Sequence, residues 1–334
     1  MTNEGSAAMV LEAMRSVGRE DAMRELWGEV GFARLVEYLA VACAPTEVGM
    51  STLRDSIVAH PVRKTMVLTG ERCSGADLDE GTDSPILTGL APVMEMLAPV
   101  SCLRSEERTG REPNALSLIF SGGVTLTPEM GELPGNVMAE QFNRMTDNVY
   151  RDVVGADSFS MNTGDQGRTL AAIAFARKIE RIVFCHVIDH VARFGATVTA
   201  ALQELVDAEN ERIDRRCADI RAMWTDMDMS GHDAANAIEK LNAARRVMPE
   251  LVFVALGDWI DRDPRRGRDN DGDGILRARE AFGPMQSPEE AMYPGKRLGS
   301  EYADRYFAEQ DGIRNIGFAC PALSPAAMLN LLGR

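Results

Sequence analysis

The stretch that most restricts the fold of this chain runs from Leu170 to Met227. In its first part, Leu170 to Arg193, apolar residues occupy most positions around a helix: Ile173, Ile179, Ile182, Val183, Val187, Ile188 and Val191. A helix patterned in this way is buried nearly all round. Gly195 interrupts it. Val198, Leu202, Leu205, Ile213, Cys217, Ile220, Trp224 and Met227 then recur at intervals of three, four or eight, with Glu204, Asp207, Glu211, Arg215 and Asp219 opposite them. This spacing predicts an amphipathic helix of about thirty residues, enough to anchor a helical hairpin or bundle.

Elsewhere the pattern is mixed. Helical spacing of Met9, Val10, Ala13, Met14 and Val17, and of Leu35, Val36, Leu39 and Ala40, predicts helices over residues 6–44, with Gly18 and Gly31 as bends and Pro45 as the end. A short helix is expected over Thr52–Ala59, capped by Ser51 and stopped by Pro61. Val62 to Leu68 is compact and β-prone. Gly70 to Ser84 has the Gly, Asp, Ser and Thr content of a loop. Ser84-Pro85 opens an apolar segment to about Leu97. Ala115–Phe120 and Val124–Leu126 flank Ser121-Gly122-Gly123 and predict a hairpin, so sheet is expected only in this middle third. From Gly135 onward the chain turns helical, with Val137, Phe142, Met145, Val149 and Val153 on one face.

The expected fold is therefore mainly α: a helical bundle with a small α/β portion. Three regions follow from the pattern: a helical segment over 1–61, a mixed α/β region over 62–130 and a helical region over 131–334.

Composition narrows the classes of function. The chain has 334 residues, 45% hydrophobic and 26% charged, which excludes a disordered polymer. Its formal charge of −15 argues against nucleic acid or anionic lipid as the main partner, because both reward Lys and Arg. The cluster Arg262, Arg265, Arg266 and Arg268 is interleaved with Asp258, Asp261 and Asp263 and suits a salt-bridged surface loop. No basic stretch leads into an apolar one at the N-terminus, and no apolar run reaches the roughly 18 residues of a membrane helix. A cytoplasmic or particle-associated protein is the default expectation. The six cysteines include no C-x-x-C pair, so buried thiols are expected rather than a zinc ribbon.

The most specific chemistry lies near the C-terminus, in Asp269-Asn270-Asp271-Gly272-Asp273-Gly274-Ile275-Leu276-Arg277-Ala278-Arg279-Glu280. It resembles the twelve-residue EF-hand loop. Calcium takes six to eight oxygens at about 2.3–2.6 Å. The resemblance implies carboxylate ligands from Asp269, Asp271 and Asp273, the main-chain carbonyl of Ile275, and both oxygens of Glu280. Gly274 permits the turn around the ion. Upstream the likeness stops, since Pro264 stands where an entering helix should run. The loop is also similar to the D-x-D-x-D-G loops of bacterial calcium repeats. Asp226-Met227-Asp228-Met229-Ser230-Gly231 is a weaker echo whose last place holds Ala237 in place of Glu. It reads either as a degenerate second site or as a helix-turn-helix corner.

His186 and His190 stand four apart with Asp189 between them. On one helix face both imidazoles would meet a single metal, and His186-Val187-Ile188-Asp189-His190 resembles the H-x-x-E-H zinc hydrolase motif. The plainer reading is two structural histidines on a packed helix. Phosphate-binding glycine loops and the Gly-x-Ser-x-Gly elbow are absent, and Thr163-Gly164-Asp165-Gln166-Gly167 reads as a helix start. The leading expectation is a calcium-binding (Ca2+) structural or interaction subunit with a protein partner or assembly. A metal-dependent hydrolase and a virion or secretion-apparatus component are the alternatives.

Overall fold

The computed structural model describes residues 3–16, 20–70, 85–99, 115–122, 134–157, 160, 163–226 and 231–256. In chain order the elements are α1 (Asn3–Ser16), α2 (Glu20–Ala42), α3 (Thr46–Ala59), β1 (Thr65–Thr69), α4 (Pro85–Leu97), β2 (Leu116–Ser121), α5 (Pro134–Met145) and β3 (Val154–Asp157). There follow α6 (Thr163–Arg177), β4 (Arg181–Val187), α7 (Ile188–Asp226), α8 (Gly231–Ala243) and β5 (Glu250–Leu256).

The five strands form one sheet in the order β3-β2-β1-β4-β5, and every pairing is parallel. This overturns the helical bundle: the fold is α/β, and sheet extends far beyond the middle third. The error has a physical cause. A strand inside a parallel sheet is covered on both faces and reads as a continuous apolar run, as a buried helix does. Ile182-Val183-Phe184-Cys185 is such a run. It divides the predicted helix of Leu170–Arg193 into the end of α6, the strand β4 and the start of α7. Leu251 to Leu256, another short apolar run, is β5. Leu116–Ser121 is a strand as expected, but its neighbours are β1 and β3 in parallel rather than a returning hairpin arm. Val124–Leu126 lies outside the described residues. The helix expected to run on past Met145 stops there, and a turn with Asp147 and Asn148 at positive φ leads into β3. In α2 the bend falls at Gly28 (φ 66°, ψ 167°), whereas Gly31 stays helical.

Right-handed crossovers place α4 and α5 on one face of the sheet and α6 and α7 on the other, because the strand order reverses direction after β3. α3 joins the first face. A Cβ at Gly49 would lie 2.5 Å from the Phe253 carbonyl oxygen and 2.9 Å from Val254 Cα, so only glycine lets α3 seat this closely on β5. On the second face Phe184 stacks on Phe253 at 5.1 Å and meets Phe194 of α7 edge-on. Met66, Leu68, Ile182, Val183 and Val254 are fully buried between the layers.

The amino edge of the sheet is closed by Arg181, which is 2% exposed. Its guanidinium donates to Ser56 Oγ (2.7 Å) and to the carbonyls of Ser56 (2.7 Å) and His60 (2.9 Å) at the C-terminus of α3. It also pairs with Glu250 (3.2 Å), which Arg63 reaches at 2.6 Å. A cation here meets the carbonyls that a helix end leaves unpaired. No helix among the described residues is long and apolar enough to cross a membrane.

Candidate functional site

Parallel strands bring all their carboxyl ends to one edge, and in this order the chain leaves β1 and β4 in opposite directions. The crevice between those two ends is the place where doubly wound sheets hold ligands. Here Gly70 follows β1, and His186 is the second-last residue of β4. A Cβ at Gly70 would lie 2.6 Å from the Ser121 carbonyl oxygen, 3.5 Å from His186 Nε2 and 3.6 Å from Gln166 Nε2. Glycine thus lets the ends of β1 and β2 close up while two side-chain nitrogens converge on the same point.

Each member is held from a different element. His186 is 6% exposed, with its ring 5.7 Å from that of Phe194. Gln166, in the first turn of α6, donates its side-chain amide to the Ser121 carbonyl (2.9 Å). Asp157 ends β3 and is buried. Its Oδ2 accepts from Ser121 Oγ (2.8 Å) and Ser160 Oγ (2.5 Å), and Oδ1 accepts from the Ser160 N–H (3.3 Å). The Asp157 carboxylate therefore ties the ends of β2 and β3 to the approach to α6. Thr69, one position before Gly70, is fully buried, and its hydroxyl has no hydrogen-bond partner among the described residues. Cys185 is no nucleophile: burial pushes its thiol far above the ordinary range. Cys43, Cys185 and Cys217 are buried and form no disulfide.

The sequence-based candidates fare unevenly. Asp269, Asp271, Asp273, Ile275 and Glu280 lie outside the described residues. The weaker echo is described only at its flanks, where α7 ends at Asp226 and α8 begins at Gly231. His186 belongs to a strand and His190 to the first turn of α7, so the shared helix face required by a zinc motif does not exist. No group of three His, Cys, Asp or Glu side chains among the described residues is placed to hold a metal ion. Sequence reasoning took Ser121-Gly122 for a hairpin turn and passed over Gly70, Asp157 and Ser160. The available signal was a buried strand ending in a small polar residue, which occurs at Thr69-Gly70 and again at Ser121-Gly122.

Comparison with family models, with curated proteins and with solved structures finds no match to this chain.

Proposed function

We propose that this chain is a small-molecule-binding α/β protein with an enzyme-like site at the carboxyl edge of its sheet, between β1 and β4. The observation that carries this is the convergence of His186 Nε2 and Gln166 Nε2 on Gly70 at the point where the strand order reverses. The ligand class follows by analogy with the fold: a polar molecule of nucleotide size, the kind that doubly wound sheets hold in this crevice. His186 would donate to the ligand or exchange a proton with it. Gln166 would orient it, and Asp157 would hold the two strand ends in place.

The test is a thermal-shift panel of nucleotides, dinucleotide cofactors and sugar phosphates on the full chain, with calorimetry on any molecule that raises the melting temperature. His186→Asn is expected to weaken such a molecule by about 10- to 100-fold, the loss of one buried polar contact. A panel without a binder, or a binder indifferent to both His186→Asn and Gln166→Leu, would sink this reading.

Calcium is a second proposal, supported by the residue pattern of 269–280. β5 ends at Leu256, thirteen positions before Asp269 (269 − 256), at the same edge as the crevice. In this reading calcium is a structural ion of the C-terminal segment.

A further inference from the structure

At the end of the sheet away from β5, the edge strand β3 has no further strand beside it among the described residues. Gly155 and Ala156 are exposed, and no described segment pairs with their outer side. On the inner side the Leu118 N–H donates to the Val153 carbonyl and the Gly122 N–H to that of Asp157. Alternation along a parallel strand then turns the N–H and C=O of Ala156 away from β2. An outward row of main-chain groups is a template for another strand, and proteins usually cover it or guard it with charge.

Here the edge borders a groove instead. Between β3 and α5 lies a cavity of about 380 Å³, within the size range of ligand pockets. Asn136, Asn143 and Asn148 line it, with Glu140, Arg144 and Arg151 at its sides. Carboxamides both donate and accept, which suits a peptide main chain. The side-chain oxygen of Asn143 is enclosed and has no hydrogen-bond partner among the described residues. Arg144 has a loose pairing with Glu140 (3.7 Å, both side chains about 70% exposed), and Arg151 has no ion pair among the described residues. Its lining carries two arginines against one glutamate, a net charge of +1 on a chain of net charge −15, with Asp147 and Asp152 beside it in the sequence.

We propose that the β3–α5 groove receives an extended peptide segment bearing a carboxylate, which adds as a sixth strand to the outer edge of β3. Main-chain bonds to Ala156 supply affinity, and the two arginines select an acidic side chain. A second copy of this chain is the poorer occupant, because symmetric pairing through this edge would bring Arg144 and Arg151 toward the same two arginines.

The test is selection of random linear octapeptides displayed on phage against the full chain, followed by calorimetry with the synthetic winners. Enriched peptides are expected to alternate β-branched residues with Asp or Glu. Ala156→Pro, which removes the outward N–H, and Arg151→Glu are each expected to weaken the winner about tenfold or more. Arg151 is exposed, so its variant keeps the test decisive even where the proline harms folding. Failure to enrich acidic peptides, or winners that bind Arg151→Glu unchanged, overturns the proposal. So does a dimer in solution that Ala156→Pro converts to monomer, because the edge would then belong to a second copy. None of these readouts depends on the crevice at His186.

Discussion

Glu250 shows how one side chain can make the stability of this fold depend on pH. Burial pushes its carboxyl up, but hydrogen bonds from Ser56, Arg181 and Arg63 and the charge of Arg181 outweigh burial, and its pKa lies below the ordinary 4.5. The folded state therefore favours the carboxylate more than the unfolded chain does. Its contribution is fully present above the unfolded value, about pH 4.5, and is lost as pH falls through the lower folded value. Urea midpoints measured down through this window should fall less steeply for Glu250→Gln than for the parent chain, while the variant is the less stable of the two at neutral pH. Parallel curves would mean that Arg63 and Arg181 gain nothing from the ionised form. None of this was visible in the sequence, where Arg181 and Glu250 stand 69 positions apart. The sequence grouped His186 with His190, either as structural histidines of one packed helix or as a metal pair, but the two lie on different elements. The neighbours of His186 in space are Gly70, just after β1, and Phe194 of α7.

Two helices were legible from their apolar spacing and their punctuation. The amphipathic stretch that ends near Trp224 is helix α7, and the apolar segment opened by Pro85 is α4, which ends at Leu97 as expected. Strands β4 and β5 were not legible, because burial on both faces removes the alternation that marks a strand. The packing of α3 on β5 provides a test at this scale. Helix propensity alone says that Gly49→Ala should stabilise, by roughly 0.5–1 kcal/mol. The added methyl would instead meet the Phe253 carbonyl at 2.5 Å and Val254 Cα at 2.9 Å, both of them backbone. Helix α3 must then lift from the sheet, and overpacking of this kind costs about 1–3 kcal/mol. Gly49→Ala is therefore expected to lower the urea midpoint, opposite in sign to the propensity effect. A raised midpoint would show that α3 is free to shift.

For the molecule as a whole, the parallel sheet sets the polarity on which function depends. Its amino edge is closed by the Arg181 network. Its carboxyl edge gathers Gly70, Ser121, Asp157 and His186, and in the sequence β5 is followed thirteen positions later by the acidic pattern of 269–280. The loop rests on sequence pattern alone, so its test must read the ion directly. Three aspartates and a glutamate drawn together repel one another until a divalent cation compensates them. Stabilisation through the loop should grow with free calcium as RT ln(1 + [L]/Kd), about 2.7 kcal/mol at a hundredfold excess over Kd. Calorimetry on the full chain should record calcium binding that Asp269→Ala combined with Glu280→Gln abolishes, because the pair removes the first ligand and one arm of the bidentate closure. His186→Asn should leave that isotherm unchanged, since His186 contributes no oxygen to the loop. Equal calcium uptake by the double variant and the parent chain would show that residues 269–280 do not hold the ion.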